Sequence, residues 1–113
     1  MSAYAIAILN EVKIGPAIVE YLERIDATLK LFGGRFIIHG AEPVMREGES
    51  PGTPVVIEFP DLDRAAAWYD SPEYQAIVGL RTGHSRGVAF LVDGVGADHV
   101  ATDVLGRMPT PAP

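Results

Sequence analysis

Few side chains in this chain stand where they could do chemistry, and Glu58 is foremost among them. It interrupts the apolar run Val55-Val56-Ile57-Glu58-Phe59, where an unpaired carboxylate is costly to bury. Two outcomes follow from that position. An arginine pairs with it, with Arg35, Arg81 and Arg86 available, or its pKa rises enough for acid–base work. The first makes Glu58 a fixture of the sheet or of a dimer; the second makes it catalytic. His39, at the end of a strand, is the other catalytic candidate, since an imidazole titrates near neutrality. His84 lies in the loop before the last strand and His99 in the tail. Their spacing gives no His-x-His or His-Glu-x-x-His metal pattern, so surface histidines are the plainer reading.

Three aromatics cluster shortly after Glu58. Trp68 and Tyr69 end one helix and Tyr74 begins the next. They are either core packing at a helix edge or the walls of a cleft for a flat, apolar ligand. Arg81 follows, placed to hold a ligand carboxylate. The ligand-binding candidates are thus Trp68, Tyr69, Tyr74, Arg81 and His84, and such a cleft suits a small aromatic or enolic acid. There is no Gly-x-Ser-x-Gly elbow, Walker loop or dinucleotide fingerprint, and no cofactor is expected. Gly33-Gly34-Arg35 leads into a strand and so stops a helix instead of cradling phosphate. Asp61 and Asp63 serve a helix start.

The elements that position these residues follow from periodicity. Ala3 to Leu9 is apolar on both faces, as in a central strand covered on both sides. Pro16 suits the first turn of a helix. Ile18, Leu22, Ile25, Leu29 and Phe32 then form one helical stripe, and Gly33-Gly34 end it. Arg35 to His39 reads as a second strand running on irregularly towards Arg46 past Gly40 and Pro43. Pro54 to Phe59 is the third strand. Asp61 caps the next helix, and Ser71-Pro72-Glu73 restarts helix with a new cap. Gly87 to Asp93 is the fourth strand.

The order β-α-β-β-α-β is that of the α+β, ferredoxin-like split motif, with strands one and three central. Its helices can cover one sheet face only. A large apolar patch left exposed implies a partner, and a second copy docking sheet to sheet is the simplest one. The domain is expected over residues 1–95. Residues 96–113 form a tail, with a short helix at Asp98–Leu105 leaning on the body through Val100, Ala101, Val104 and Leu105. The segment Pro109–Pro113 is expected to be extended.

Bulk properties narrow the classes. The net charge of −6 over 113 residues weighs against nucleic acid as a partner. The absence of cysteine removes thiol chemistry and permits a reducing compartment. No apolar run approaches the roughly 20 residues of a membrane helix, and Ala3–Leu9 lacks the features of a signal peptide, so cytoplasmic is the default expectation.

Three phrases together are specific. Phe32-Gly33-Gly34-Arg35-Phe36, Val55-Val56-Ile57-Glu58-Phe59-Pro60, and Ala67-Trp68-Tyr69-Asp70-Ser71-Pro72-Glu73-Tyr74-Gln75 with Leu80-Arg81 resemble the bacterial family called domain of unknown function thirteen-thirty. The likeness runs from about Ala3 to Val95. It implies a dimeric α/β barrel, a superfamily fold shared with small monooxygenases, muconolactone isomerase and chlorite dismutase-like proteins. It carries no settled activity. Many members have arginine where this chain has His39, and the tail lies outside the family's usual extent.

Two functions are consistent with these residues. One is a homodimeric enzyme acting on a small aromatic or enolic acid by proton transfer or cofactor-free oxygenation, with Glu58 or His39 moving the proton. The other is a non-catalytic dimer that binds a small organic acid or serves as a structural accessory. A cavity containing a free Glu58 or His39 favours the first; a paired Glu58 over a packed interior favours the second.

Overall fold

The computed structural model describes residues 1–106, so the expectation for Pro109–Pro113 lies outside the described residues. The chain runs β1 (Ala3–Asn10), α1 (Pro16–Lys30), β2 (Arg35–His39), β3 (Thr53–Phe59), α2 (Leu62–Asp70), α3 (Pro72–Thr82) and β4 (Arg86–Asp93). A 3-10 turn at Ala101–Gly106 follows. The strands form one antiparallel sheet in the order β2-β3-β1-β4. β1 and β3, the two strands expected at the centre, are the central pair. The fold is α+β and ferredoxin-like.

Local chemistry explains where the helices start and stop. Pro16 and Pro72 occupy first turns, where a missing N–H costs nothing. The Asp61 carboxylate accepts from the Arg64 amide at 2.8 Å, and the Ser71 hydroxyl accepts from the Tyr74 amide at 3.2 Å. Ser71 closes α2 and opens α3, so a single extended residue breaks the helix in two. At the end of α1, Gly33 takes a φ of +72°. Gly34 then packs so tightly that an added Cβ would meet the Phe59 ring at 2.7 Å.

The core lies between the helices and the inner face of the sheet. Ile57 and Phe59 of β3 point into it, against Ile25 and Leu29 of α1 and Ala65 and Trp68 of α2. The stripe of α1 is turned slightly from its expected line. Ile18, Tyr21, Ile25, Thr28 and Leu29 are buried, whereas Leu22 is 44% exposed. Trp68 is not at a margin but at the centre of the core, and its indole N–H donates to the Thr28 hydroxyl at 2.9 Å. That hydroxyl donates to the Ile25 carbonyl, so each buried polar group of the set is satisfied.

Two other stretches differ from their sequence patterns. β2 stops at His39, and no regular structure continues it towards Arg46, because Gly40 turns the chain with a φ of +98°. The tail makes its short turn, but Val100, Val104 and Leu105 stay exposed and do not lean on the body. Along β1 and β4, the outer sheet face carries Tyr4, Ile6, Ile8, Val88, Phe90 and Val92 in register, uncovered by any helix. Among the described residues no helix is long and apolar enough to cross a membrane.

Two glycines test this packing with opposite signs. Gly34→Ala should lower unfolding free energy by about 1–3 kcal/mol, since the Phe59 ring and Leu29 leave no room for a methyl group. Gly79→Ala, in the exposed interior of α3 with nothing within 4 Å, should raise it by about 0.5–1 kcal/mol. Urea unfolding of both variants checks the pair; a neutral Gly34→Ala would contradict the close approach.

Candidate functional site

The inner sheet face is built from two kinds of residue, and a cavity results. Near Phe59 the side chains are large and pack directly on the helices. Towards the other end of the sheet they are Ala5 and Ala7 of β1, with Ala89 of β4 paired opposite Ala7. Methyl groups cannot fill the space beneath α1 and α3. A cavity of about 470 Å³ remains, within the range of roughly 300–1,000 Å³ usual for small-ligand sites. Its walls are mainly apolar, with Ile18, Ile25, Val55 and Leu91 among them. Its exposed lining residues include Val12, Ile14, His39 and Gly40, where β1 and β2 end, so the cavity is open there.

Four of the residues singled out from sequence come together on this cavity: Trp68, Tyr69, Tyr74 and Arg81. Their rings form one cluster. Tyr74 lies 4.1 Å from Trp68 and 5.3 Å from Tyr69 between centroids. The Trp68 indole N–H is already engaged by Thr28, so this residue contributes shape and apolar surface instead of a free polar tip. His84 is not brought to the cavity. Its ring is exposed beyond α3, with Nδ1 3.0 Å from the Leu80 carbonyl.

His39 reaches the cavity through a local irregularity of β2. In a regular strand Phe36 and His39 would point to opposite faces. The register shifts between Phe36 and Ile38, so Phe36 pairs with Ile57 and His39 with Val55. Both therefore lie on the inner face, their rings stacked at 4.3 Å and 14°. Such a bulge re-aims a side chain at the cost of one unpaired residue, here Ile37.

Glu58 lies on the other side of the sheet. Its neighbours in register are Tyr4 of β1 and Arg35 of β2. The Arg35 guanidinium donates to Oε1 from Nε at 3.0 Å and from Nη2 at 2.8 Å, and the Tyr4 hydroxyl approaches Oε2 at 3.5 Å. Its side chain is 25% exposed and fully engaged, and it does not line the cavity. The two catalytic candidates are thus on opposite faces and do not form one constellation.

A polar residue that sequence reasoning passed over completes the cavity wall. Tyr21 of α1 is buried, and its hydroxyl lies 2.8 Å from that of Tyr74. The Arg81 guanidinium sits 6.0 Å from the centre of the Tyr21 ring. The available signal was its place on the helical stripe, three residues after Ile18 and four before Ile25. Burial pushes the Tyr21 phenol well above its ordinary range, with Tyr74 adding to the shift and Arg81 opposing it. Burial acts to lower the Arg81 pKa, but the oxygens of Tyr74 and Tyr21 outweigh it and the group lies above its ordinary value. Arg81 is therefore a permanent cation in the wall of an apolar cavity. Among the described residues it has no acidic partner within 4.0 Å, and no group of three His, Cys, Asp or Glu side chains could hold a metal ion.

Comparison with known proteins agrees with this architecture. A protein of unknown function, RPA0582 from Rhodopseudomonas palustris, superposes with a TM-score of 0.60 at 15% identity, covering 84% of this chain and 83% of its own. A structure of the methylated RPA0582 protein gives a TM-score of 0.63 at 14% identity, covering 87% and 84%. A dimeric ferredoxin-like protein of unknown function from Jannaschia sp. CCS1 gives 0.60 at 18% identity, covering 85% of this chain and all of that one. These likenesses are likenesses of fold. Among curated proteins none matches. A family model covers residues 2–95, which include β1 through β4 and every cavity residue described above, and the chain belongs to that family, Domain of unknown function (DUF1330).

Proposed function

We propose that this protein is a homodimer, each subunit of which takes a small aromatic or enolic acid into its helix–sheet cavity. The observation that carries this reading is Arg81: a guanidinium in the wall of a mainly apolar pocket, with no carboxylate partner among the described residues. A flat apolar body would lie against the Tyr74 and Tyr69 rings, and its carboxylate would take the place of the counter-ion that Arg81 lacks. Charge-assisted hydrogen bonds of this kind are worth more in a site with little competing water. His39, at the open end, is the group placed to move a proton on the bound acid. Glu58, held by Arg35 on the opposite face, serves the sheet surface instead.

The dimer follows from that opposite face. Val88, Phe90 and Val92 of the edge strand are 59%, 45% and 41% exposed, beside Ile6 and Ile8 of β1. A second copy of the same surface would cover them, and the neighbour from Jannaschia is described as dimeric. The Arg35–Glu58 pair borders this patch and would be desolvated with it. At 70% exposure of the arginine the pair is worth little in a lone subunit. Buried between subunits it would make a missing partner expensive.

Two measurements test these statements. Benzoate or phenylpyruvate at about 100 times its dissociation constant should stabilise the protein by about 2.7 kcal/mol, read as a rise in melting midpoint. Arg81→Met should abolish the rise, and benzyl alcohol should not reproduce it. If no acid shifts the midpoint, or if Arg81→Met keeps the full shift, the ligand reading is wrong.

For the dimer, sedimentation should show a two-copy particle that Phe90→Glu converts to single subunits. Glu58→Gln should weaken association by roughly 3–5 kcal/mol if the pair is sealed in the interface. A wild-type particle that stays single at high concentration would refute the assembly.

A further inference from the structure

The hydroxyl pair beside Arg81 has a consequence for the kind of oxygen the cavity would hold. When two phenols face each other at 2.8 Å, one proton lies between the oxygens and the other is left to be donated elsewhere. Tyr21 and Tyr74 come from different elements, α1 and α3, so neither hydroxyl is held by its own helix. Both line the cavity, as does Arg81 about two helix turns beyond Tyr74. The ionisable side chains lining it are Tyr21, His39, Tyr69, Tyr74 and Arg81. No carboxylate is among them. The field inside the cavity is set by one fixed cation and by O–H dipoles that can turn to follow a charge.

We propose that Tyr21, Tyr74 and Arg81 form an oxyanion site, which holds the ionised oxygen of an enol or phenol in preference to its neutral form. This deepens the reading of the cavity as an acid-binding site and rests on it. In this site the free hydroxyl proton and a guanidinium N–H would both be donated to one ligand oxygen, and the second hydroxyl would support the first by donating to it. An anionic oxygen gains two charge-assisted hydrogen bonds there, whereas a neutral hydroxyl must give up its own proton direction to use the same donors. The site would therefore lower the pKa of a bound enol. In an enolisable acid this stabilises the enolate that forms when a base removes the carbon-bound proton. Tyr21 and Tyr74 are then binding residues of the reaction's charged state, and the aromatic cluster around them excludes water from it.

The phenol 4-nitrophenol tests this, because its absorbance reports ionisation directly. Its ether, 4-nitroanisole, has the same body and no ionisable oxygen, so it reports entry into the cavity alone. The bound phenol should ionise at a lower pH than the free phenol. Tyr21→Phe and Tyr74→Phe should each weaken phenolate binding roughly 10- to 100-fold while leaving anisole binding within about threefold. The double variant removes both hydroxyls together and leaves no orphaned partner, so it separates loss of the site from loss of folding. If the anisole binds but the phenol ionises at its free value, the cavity accepts ligands and the oxyanion site does not exist. If Arg81→Met abolishes the shift and both tyrosine variants retain it, the arginine acts alone and the hydroxyl pair has no part. If neither compound binds, the cavity reading and this inference fall together.

Discussion

A four-stranded sheet has two faces, and the helices of this chain cover one. Everything notable about the molecule follows from how that coverage is shared out. Over Phe59 it is complete: Phe59, Ala65 and Ile77 are fully buried, the two large side chains each contributing about 1.5–3 kcal/mol through burial. Over Ala5, Ala7 and Ala89 it leaves a hollow, because the side chains below are too small to meet the helices above. On the outer face there is no coverage at all, and an apolar surface remains.

The polar groups are distributed to suit these three regions. In the packed region they satisfy one another completely, as in the chain from the Trp68 indole through the Thr28 hydroxyl to the Ile25 carbonyl. No buried side-chain nitrogen or oxygen among the described residues lacks a partner. On the outer face the charged pair is closed, Glu58 accepting both bonds that Arg35 offers. In the cavity wall, Arg81 has no carboxylate within 4.0 Å among the described residues.

The bulge in β2 ties the sheet to the cavity. Without it, strict alternation would put Arg35, Ile37 and His39 on one face, and the imidazole would join the outer patch. The extra residue restores Ile38 to the outer face and carries His39 to the inner one, where it stacks on Phe36. One inserted residue therefore decides whether the cavity has a titratable group at its opening. Gly40, with its left-handed backbone, then ends the strand directly beyond it.

Much of the fold was legible in the chain because it depends on local rules. Periodicity set the strands and helices, proline and glycine set their limits, and Asp61 and Ser71 announced their caps. The doubly apolar character of Ala3–Leu9 and Val55–Phe59 pointed to the centre, since a strand apolar on both sides is usually a central one. The pairing of Glu58 with an arginine was also within reach, though not the choice of Arg35. What the sequence could not supply were facts about which side chains share a space. The alanines read as ordinary apolar positions until α1 and α3 were set above them at a fixed height. Tyr21 gained significance only when α3 brought Tyr74 and Arg81 to it from more than 50 residues away. The face of His39 depended on a register shift that no local pattern encodes. Local preferences thus determined the elements and their order, while the volume between them, and the charge left alone within it, were decided by packing at a distance.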